Sequence, residues 1–394
     1  MTLSTSTLIR FVIVLGLCSC WLLGNKLLLA QTDRSDPANL VVAIQGRPSL
    51  KRHGWINYAP IAFGTWLQEG DLLDLGESSS AKVVCSDLTL HDVSMGIGAI
   101  PCPPSRVVLR RQDGSLIHVT RGWPNDGSSP IVLSPRKTKL LSPYPTIRWT
   151  PVKGATTYHV SIRSLDFSWT SDTTIATKLV YSEKSPRLDK GPRLKGDVEY
   201  RVIVVADGVG TYDEPGFGLG FSLIGPKEKE VVLQEQRQIE HFNLPEGPTQ
   251  FLIAHLYANH GLYAEAIDRL EAIFPNLNVA AVKRLEGDLY MKIDLPRQAE
   301  TDYLASLDLS KSENDREGQM LDHRALAYIY GQIVGNREAA CQQLKETLNL
   351  ARTLGDDSTA SQVEKDLAEL KSEAPKSRAA EPKTESAVGG QFPH

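Results

Sequence analysis

The residues that could do chemistry are few and widely scattered. Cys85 and Cys102 lie 17 residues apart. In an exported chain, where disulfides persist, such a pair is expected to be bridged, with Cys341 free. Two buried free thiols are the alternative. Closing a loop of that size contributes on the order of 3 kcal/mol on the chain-entropy account. Asp71 and Asp74 are carboxylates near a glycine, but a catalytic role needs a second group paired with them. Gly70-Asp71 reads more simply as a tight turn. His255 and His260 are five apart, which puts them on different faces of a helix rather than around one metal ion. Gly216, Gly218 and Gly220 form G-x-G-x-G after Pro215, with no helix start behind them, so a hairpin or linker is expected rather than a phosphate loop. No nucleophile elbow, P-loop, His-Glu-x-x-His or Cys-x-x-Cys is present. The expectation is therefore no catalytic residue, no metal site and no cofactor.

The totals bound what can position these residues. A chain of 394 residues accommodates two or three domains. A net charge of −4 with pI near 6.2 argues against a dedicated nucleic-acid binder, which is normally basic. Arg10 precedes an apolar run over 11–24, interrupted at Asn25 and Lys26 and resumed over 27–30. A short basic head and short apolar run predict an export signal cleaved near Ala30. Counting 27–30 brings the run close to the roughly 20 residues of a spanning helix, so an N-terminal anchor is the alternative. A lipoprotein reading rests on Leu17-Cys18-Ser19-Cys20 and is the poorest of the three. Each of the first two places the body in the periplasm or otherwise outside the cytoplasm.

Over 37–120, short β-branched runs alternate with Gly and Pro ("NLVVAIQG", "AKVVC", "SRVVLRR", "SLIHVT"), which predicts a small β domain. The stretch "VVAIQGRPSLKRHG…IAFGTWLQEGDLLDLGESSSAKVVCSDLTL" resembles the FecR-like extracytoplasmic domain family through Gly46, Gly64, Leu67, Gly70, Asp71, Leu73, Gly76, Ala81 and Val83. Ser86-Asp87-Leu88 stands where that family usually has Asp-Gly-Ser. Members often sit in transcription relays through a cytoplasmic segment. Ten residues before the apolar run leave no room for one, so that role is not expected here.

Over 130–224, "TIRWTPVKGATTYHVSI" and "LKGDVEYRVIVVADG" alternate around Trp149, Tyr158, Val160, Ile162, Tyr200, Val202 and Val204. The pattern resembles a fibronectin type III sandwich, with Trp149 as core plug and a corner from Leu194 to Tyr200. The resemblance implies a spacer or adhesion module. Lys184, Arg187, Lys190, Arg193 and Lys195 crowd one loop with Asp189. A solvated loop is the plain reading, and an anionic headgroup or wall polymer the sharper one.

Residues 227–243 predict a connector helix with Val232, Ile239 and Phe242 on one face and Glu235 as a polar exception. Beyond it the sequence repeats itself. Ala254, Tyr257, Ala266 and Leu270 recur 33 residues later as Gly287, Tyr290, Ala299 and Tyr303, and 40 to 41 residues further on as Ala327, Tyr330, Ala340 and Leu344. A period near 34 with small residues at fixed offsets marks helix–turn–helix repeats. "HLYANHGLYAEAIDRLEAI" resembles a tetratricopeptide repeat, with Gly261 at the turn, and the array is expected over 248–371. Val363, Leu367 and Leu370 predict a capping helix, and the tail over 372–394 is expected to be disordered.

The resemblance implies a concave groove lined by the first helix of each repeat, with a protein or peptide partner. Carried over, the positions are Phe251, His255, Ala258 and Asn259, then Arg284, Asp288, Met291 and Lys292, then Arg324, Tyr328 and Gln332. The clamp that some members use for a terminal carboxylate is missing. Arg284, Lys292 and Arg324 outnumber Asp288, so an acidic partner segment is expected, and loss of Arg284 and Arg324 is expected to spare stability. The fold expectation is thus multidomain: an all-β N-terminal half, a FecR-like domain then a fibronectin-like sandwich, and an all-α repeat array, separable near residues 244–249. The functional expectation is an exported, envelope-associated interaction scaffold. A wall- or glycan-binding adhesion module using the β domains is the alternative, and an unrecognised enzyme a second. Oligomeric state is open.

Overall fold

The computed structural model describes residues 39–102, 108–109, 127–171, 173–183, 191–208, 210 and 219–372. The apolar N-terminal run, the strand expected over 115–120, residues 184–190 of the basic loop, Gly216, Gly218 and the tail beyond Ser372 lie outside them. The chain is β-rich up to about residue 225 and helical from Pro226 to Ser372.

The first β unit is built around β5 (Leu72–Val84), its longest strand. β1 (Asn39–Gln45) pairs with one edge of β5, and β2 (Ser49–Lys51) and β6 (Leu90–Ala99) also pair with it. β3 (Ala59–Pro60) extends β2 and β4 (Trp66–Leu67) extends β1. Strand β1 reads as a continuous apolar run because both its faces are buried. Val41 joins Leu50, Leu67, Leu73 and Val83 in the unit's own core. Leu40 and Val42 point the other way, into a core shared with the helices. Cys85 and Cys102 are disulfide-bonded, Cα atoms 5.4 Å apart, and Cys341 is free.

The second β unit contains β7 (Val132–Ser134), β8 (Thr138–Leu140), β9 (Thr146–Trp149), β10 (Tyr158–Arg163), β11 (Ser168–Thr170), β12 (Lys178–Val180), β13 (Arg201–Ala206) and β14 (Phe221–Leu223). Sheets β12-β9-β7 and β11-β10-β13 contribute to one core around Trp149, Tyr158, Val160, Ile162 and Val204. The Tyr200 hydroxyl accepts the Lys195 N–H at 2.8 Å and so ties the corner before β13. β14 and β8 form a separate parallel pair.

Eight α-helices follow among the described residues: α1 (Pro226–Glu240), α2 (Glu246–Asn259), α3 (Tyr263–Ile273), α4 (Ala280–Lys292), α5 (Pro296–Ser312), α6 (Arg316–Tyr328), α7 (Arg337–Leu354) and α8 (Asp357–Ser372). Helices α2–α3, α4–α5 and α6–α7 form three successive hairpins. Ala254, Ala266, Ala299 and Ala340 are all fully buried in them. A Cβ at Gly287 would meet the Tyr303 ring at 2.9 Å, so only glycine lets α5 approach α4 this closely. The second helix lengthens from 11 residues in α3 to 17 in α5. A π-helical turn, Ile329–Val334, ends the first helix of the third hairpin. Val363 and Leu367 of α8 cover Ala327 and Leu344.

On α1, Val232 and Ile239 are buried, and Glu235 is buried with them because His260 Nε2 lies 3.1 Å from its carboxylate. The polar exception in that stripe is a paired group.

Candidate interaction groove

The first helices of the three hairpins, α2, α4 and α6, form the face expected to receive a partner. That face is covered by the chain's own first β unit. Phe63 packs on Phe251 with ring centroids 5.0 Å apart, and Trp66 meets His255 edge-on at 5.0 Å. Between those two aromatics, Gly64 (φ +79°) lies so close to Ala281 of α4 that a Cβ there would collide with it. Further along, Trp55 packs with Met320 of α6 and with Ala351 and Leu354 of α7. Asn57 closes the far end: its backbone N–H donates to Leu354 O at 3.3 Å and its side chain to Thr353 O at 3.0 Å.

One ionic lock sits within this contact. Arg52 donates to both Glu317 oxygens, at 2.6 and 2.8 Å, to Asp71 at 2.6 Å and to Trp66 O at 2.7 Å. The Asp71 side chain is 1% exposed and also accepts backbone N–H groups from Gln68 and His53. Burial pushes its carboxyl above the usual range even with Arg52 beside it. The Gly70-Asp71 turn is present, with Asp71 N–H donating to Gln68 O. Its second duty, holding Arg52 against the helices, has no local signal in the sequence.

The positions carried over from the repeat resemblance divide accordingly. Phe251, His255, Ala258 and Met291 are buried. Asn259 donates to Val108 O at 3.1 Å, a bond to the chain's own first β unit. Asp288 accepts the Tyr303 hydroxyl at 2.7 Å. Lys292 and Tyr328 are half-buried, and only Arg324 and Gln332 of the set are exposed.

Arg284 corrects the expectation of a basic groove. Its Nε donates to Asp322 at 2.8 Å, one terminal nitrogen to Ser310 at 2.8 Å, and Asp315 lies 3.6 Å away. Asp322 is 0% exposed and also accepts from Ser306 and Ser310. Arg284 is therefore a structural cation neutralised between hairpins, and its loss cannot spare stability. The repeat offset of 40 residues aligns Arg284 with Arg324, so alignment points to a basic column. The residue that reaches Arg284 is Asp322, two positions earlier.

His255 is the residue whose chemistry is most changed by its place. Neither ring nitrogen has a hydrogen-bond partner, and burial alone pulls its pKa down to about 3. Among the described residues no group of His, Cys, Asp and Glu could hold a metal ion. Lys283 lies 2.7 Å from Glu286 and 3.0 Å from Asp302, and 4.4 Å above the Phe274 ring. Burial raises both carboxyls, and the lysine between them holds the cluster together.

The two halves touch well beyond residues 244–249. Pro245 there is the cap of α2, and Thr249 Oγ1 donates to Pro245 O at 3.0 Å. The second β unit docks on hairpin ends: Lys139 N–H donates to Gly261 O at 2.8 Å, and Arg136 Nε to Ile293 O at 2.7 Å. No protein-family model matches the chain, and no curated protein matches it. Among the described residues no helix is long and apolar enough to cross a membrane.

Proposed function

We propose that this chain is an exported, envelope-associated interaction scaffold, without chemistry of its own, whose helical-repeat groove is loaded with its own first β unit. The reading combines three resemblances: FecR-like for the first β unit, fibronectin-like for the second, tetratricopeptide-like for the hairpins. A single observation carries it. The face that binds partners in such arrays is filled here by Phe63, Gly64 and Trp66, and locked by Arg52 on Glu317. A partner that uses the groove must displace that unit, so its apparent affinity is reduced by the fraction of molecules that are open.

The test is retention of envelope proteins on immobilised full-length chain, wild type against Arg52→Ala with Trp66→Ala. The double variant is expected to retain a specific protein at least about tenfold better, about 1.4 kcal/mol of opening free energy. Equal retention by the two chains contradicts a self-loaded groove.

A further inference from the structure

A separate cleft of about 660 Å³ opens between α2, α3 and the Leu141–Ser142 segment of the second β unit. Sites for small molecules are typically of this size. Glu265 and Arg269 both line it, four residues apart on α3. That order and spacing ordinarily close a carboxylate–guanidinium pair along a helix face. Here the pair is held open.

Glu265 turns toward the second β unit, where one carboxyl oxygen accepts the Leu141 N–H at 2.7 Å. Its other oxygen is buried with no hydrogen-bond partner. An unsatisfied buried acceptor is costly and therefore an uncommon feature of a finished fold. Burial pushes this carboxyl up to about 7.

Arg269 turns the opposite way, toward α2. It donates to the Gln250 side-chain carbonyl and, at 3.0 Å, to the Tyr257 hydroxyl, and lies 4.7 Å from the Tyr257 ring centroid. These acceptors are neutral, and among the described residues no carboxylate closes an ion pair with it. The cleft is thus bracketed by a carboxyl with one unpaired oxygen and a guanidinium lacking a counter-ion. A simple anion would meet Glu265 and the exposed Glu246 and Asp268, the last of them paired with Arg148 at 3.1 Å, and a simple cation would meet Arg269. A ligand carrying both charges meets neither conflict.

We propose that this cleft binds a compact zwitterion of the α-amino-acid class, its carboxylate received by Arg269 and its ammonium by Glu265. Ala272 and Ile273 line the same cleft and offer apolar contact for a side chain. The site is independent of the groove and stands whether or not a partner displaces the first β unit.

The test is calorimetric titration of the full chain with glycine, L-leucine and L-glutamate, with acetate and methylammonium as half-probes. Saturable binding of at least one amino acid is expected, at least about tenfold tighter than either half-probe. It should tighten as pH rises through about 7, as Glu265 ionises. Glu265→Gln and Arg269→Gln are each expected to weaken it at least about tenfold. If Arg269→Gln fails to fold, the nearly isosteric Glu265→Gln carries the test. No saturable amino-acid binding, half-probes that bind as tightly, or unchanged affinity in Glu265→Gln overturns the proposal.

Discussion

The two β units are both fastened to the helices, but by different physics. The first is seated on the face made by α2, α4 and α6 by aromatic side chains and by Arg52, whose side chain is 10% exposed, against Asp71 at 1%. The second sits on hairpin ends and on α1, partly through buried bonds such as Arg136 Nε to Ile293 O at 2.7 Å and partly through more exposed ion pairs. Lys139 pairs with Glu228 at side-chain exposures of 43% and 35%, and Lys137 with Asp294 at 36% and 17%. Buried charges stranded without a partner are expensive, whereas exposed pairs are screened and contribute little. The exposed pairs of the second unit should therefore be salt-sensitive, whereas the Arg52–Asp71 pair of the first should not be.

The sharpest way to break that contrast is to strand a buried charge. Arg52→Ala leaves Asp71 buried without its cation, and loss of about 3–5 kcal/mol of stability is expected from urea unfolding. Arg284→Ala is expected to cost a similar amount, because Asp322 is left in the same position between hairpins. Near-wild-type stability in either variant would mean that these pairs are open to water.

The acid limb of the stability curve sharpens the contrast further. His255 titrates near 3 when folded, against about 6.5 when unfolded. Below about 6.5 the unfolded chain takes up a proton that the folded chain refuses. His255 therefore favours unfolding progressively as pH falls from about 6.5 toward 3. Glu265 acts in the opposite sense: its raised value favours the fold at low pH, and that contribution is lost as pH rises toward and through about 7. His255→Phe, which keeps an aromatic ring against Trp66, is expected to flatten the acid limb and leave the neutral limb alone. Parallel limbs in wild type and variant would show that His255 is solvated.

The smallest effect belongs to the second unit. Lys139→Ala is expected to cost no more than about 1 kcal/mol, shrinking as salt rises. Thermal melts at low and high ionic strength would measure it, and a large, salt-independent loss would erase the distinction between the two interfaces.

The division between legible and illegible features follows the range of the interactions. The hairpins could be read from Ala254, Gly287 and Ala299 because close helix approach demands small residues at fixed spacing. The cysteine pair could be read because both members lie in one small unit. The seating of that unit could not. Arg52 and Glu317 are 265 residues apart, and nothing local to either announces the other. One signal was present in β1, whose unbroken apolar run left no solvent face; Leu40 and Val42 needed a cover, and the helices supply it. The open cleft was illegible for a similar reason. Glu265 and Arg269 stand at an ordinary i,i+4 spacing, and it is Leu141 and Gln250, from two other elements, that draw them apart.

The central claim is that the first β unit occupies the groove in solution. Selective protonation of Trp and His in an otherwise deuterated full-length chain isolates the contact between Trp66 and His255. With ring centroids 5.0 Å apart and the rings edge-on, a direct nuclear Overhauser effect between their ring protons is predicted. It should vanish in Trp66→Phe, which assigns it. A wild-type chain that gives no such effect, while its other aromatic contacts such as Trp149–Tyr158 remain visible under Tyr labelling, would contradict the self-loaded groove.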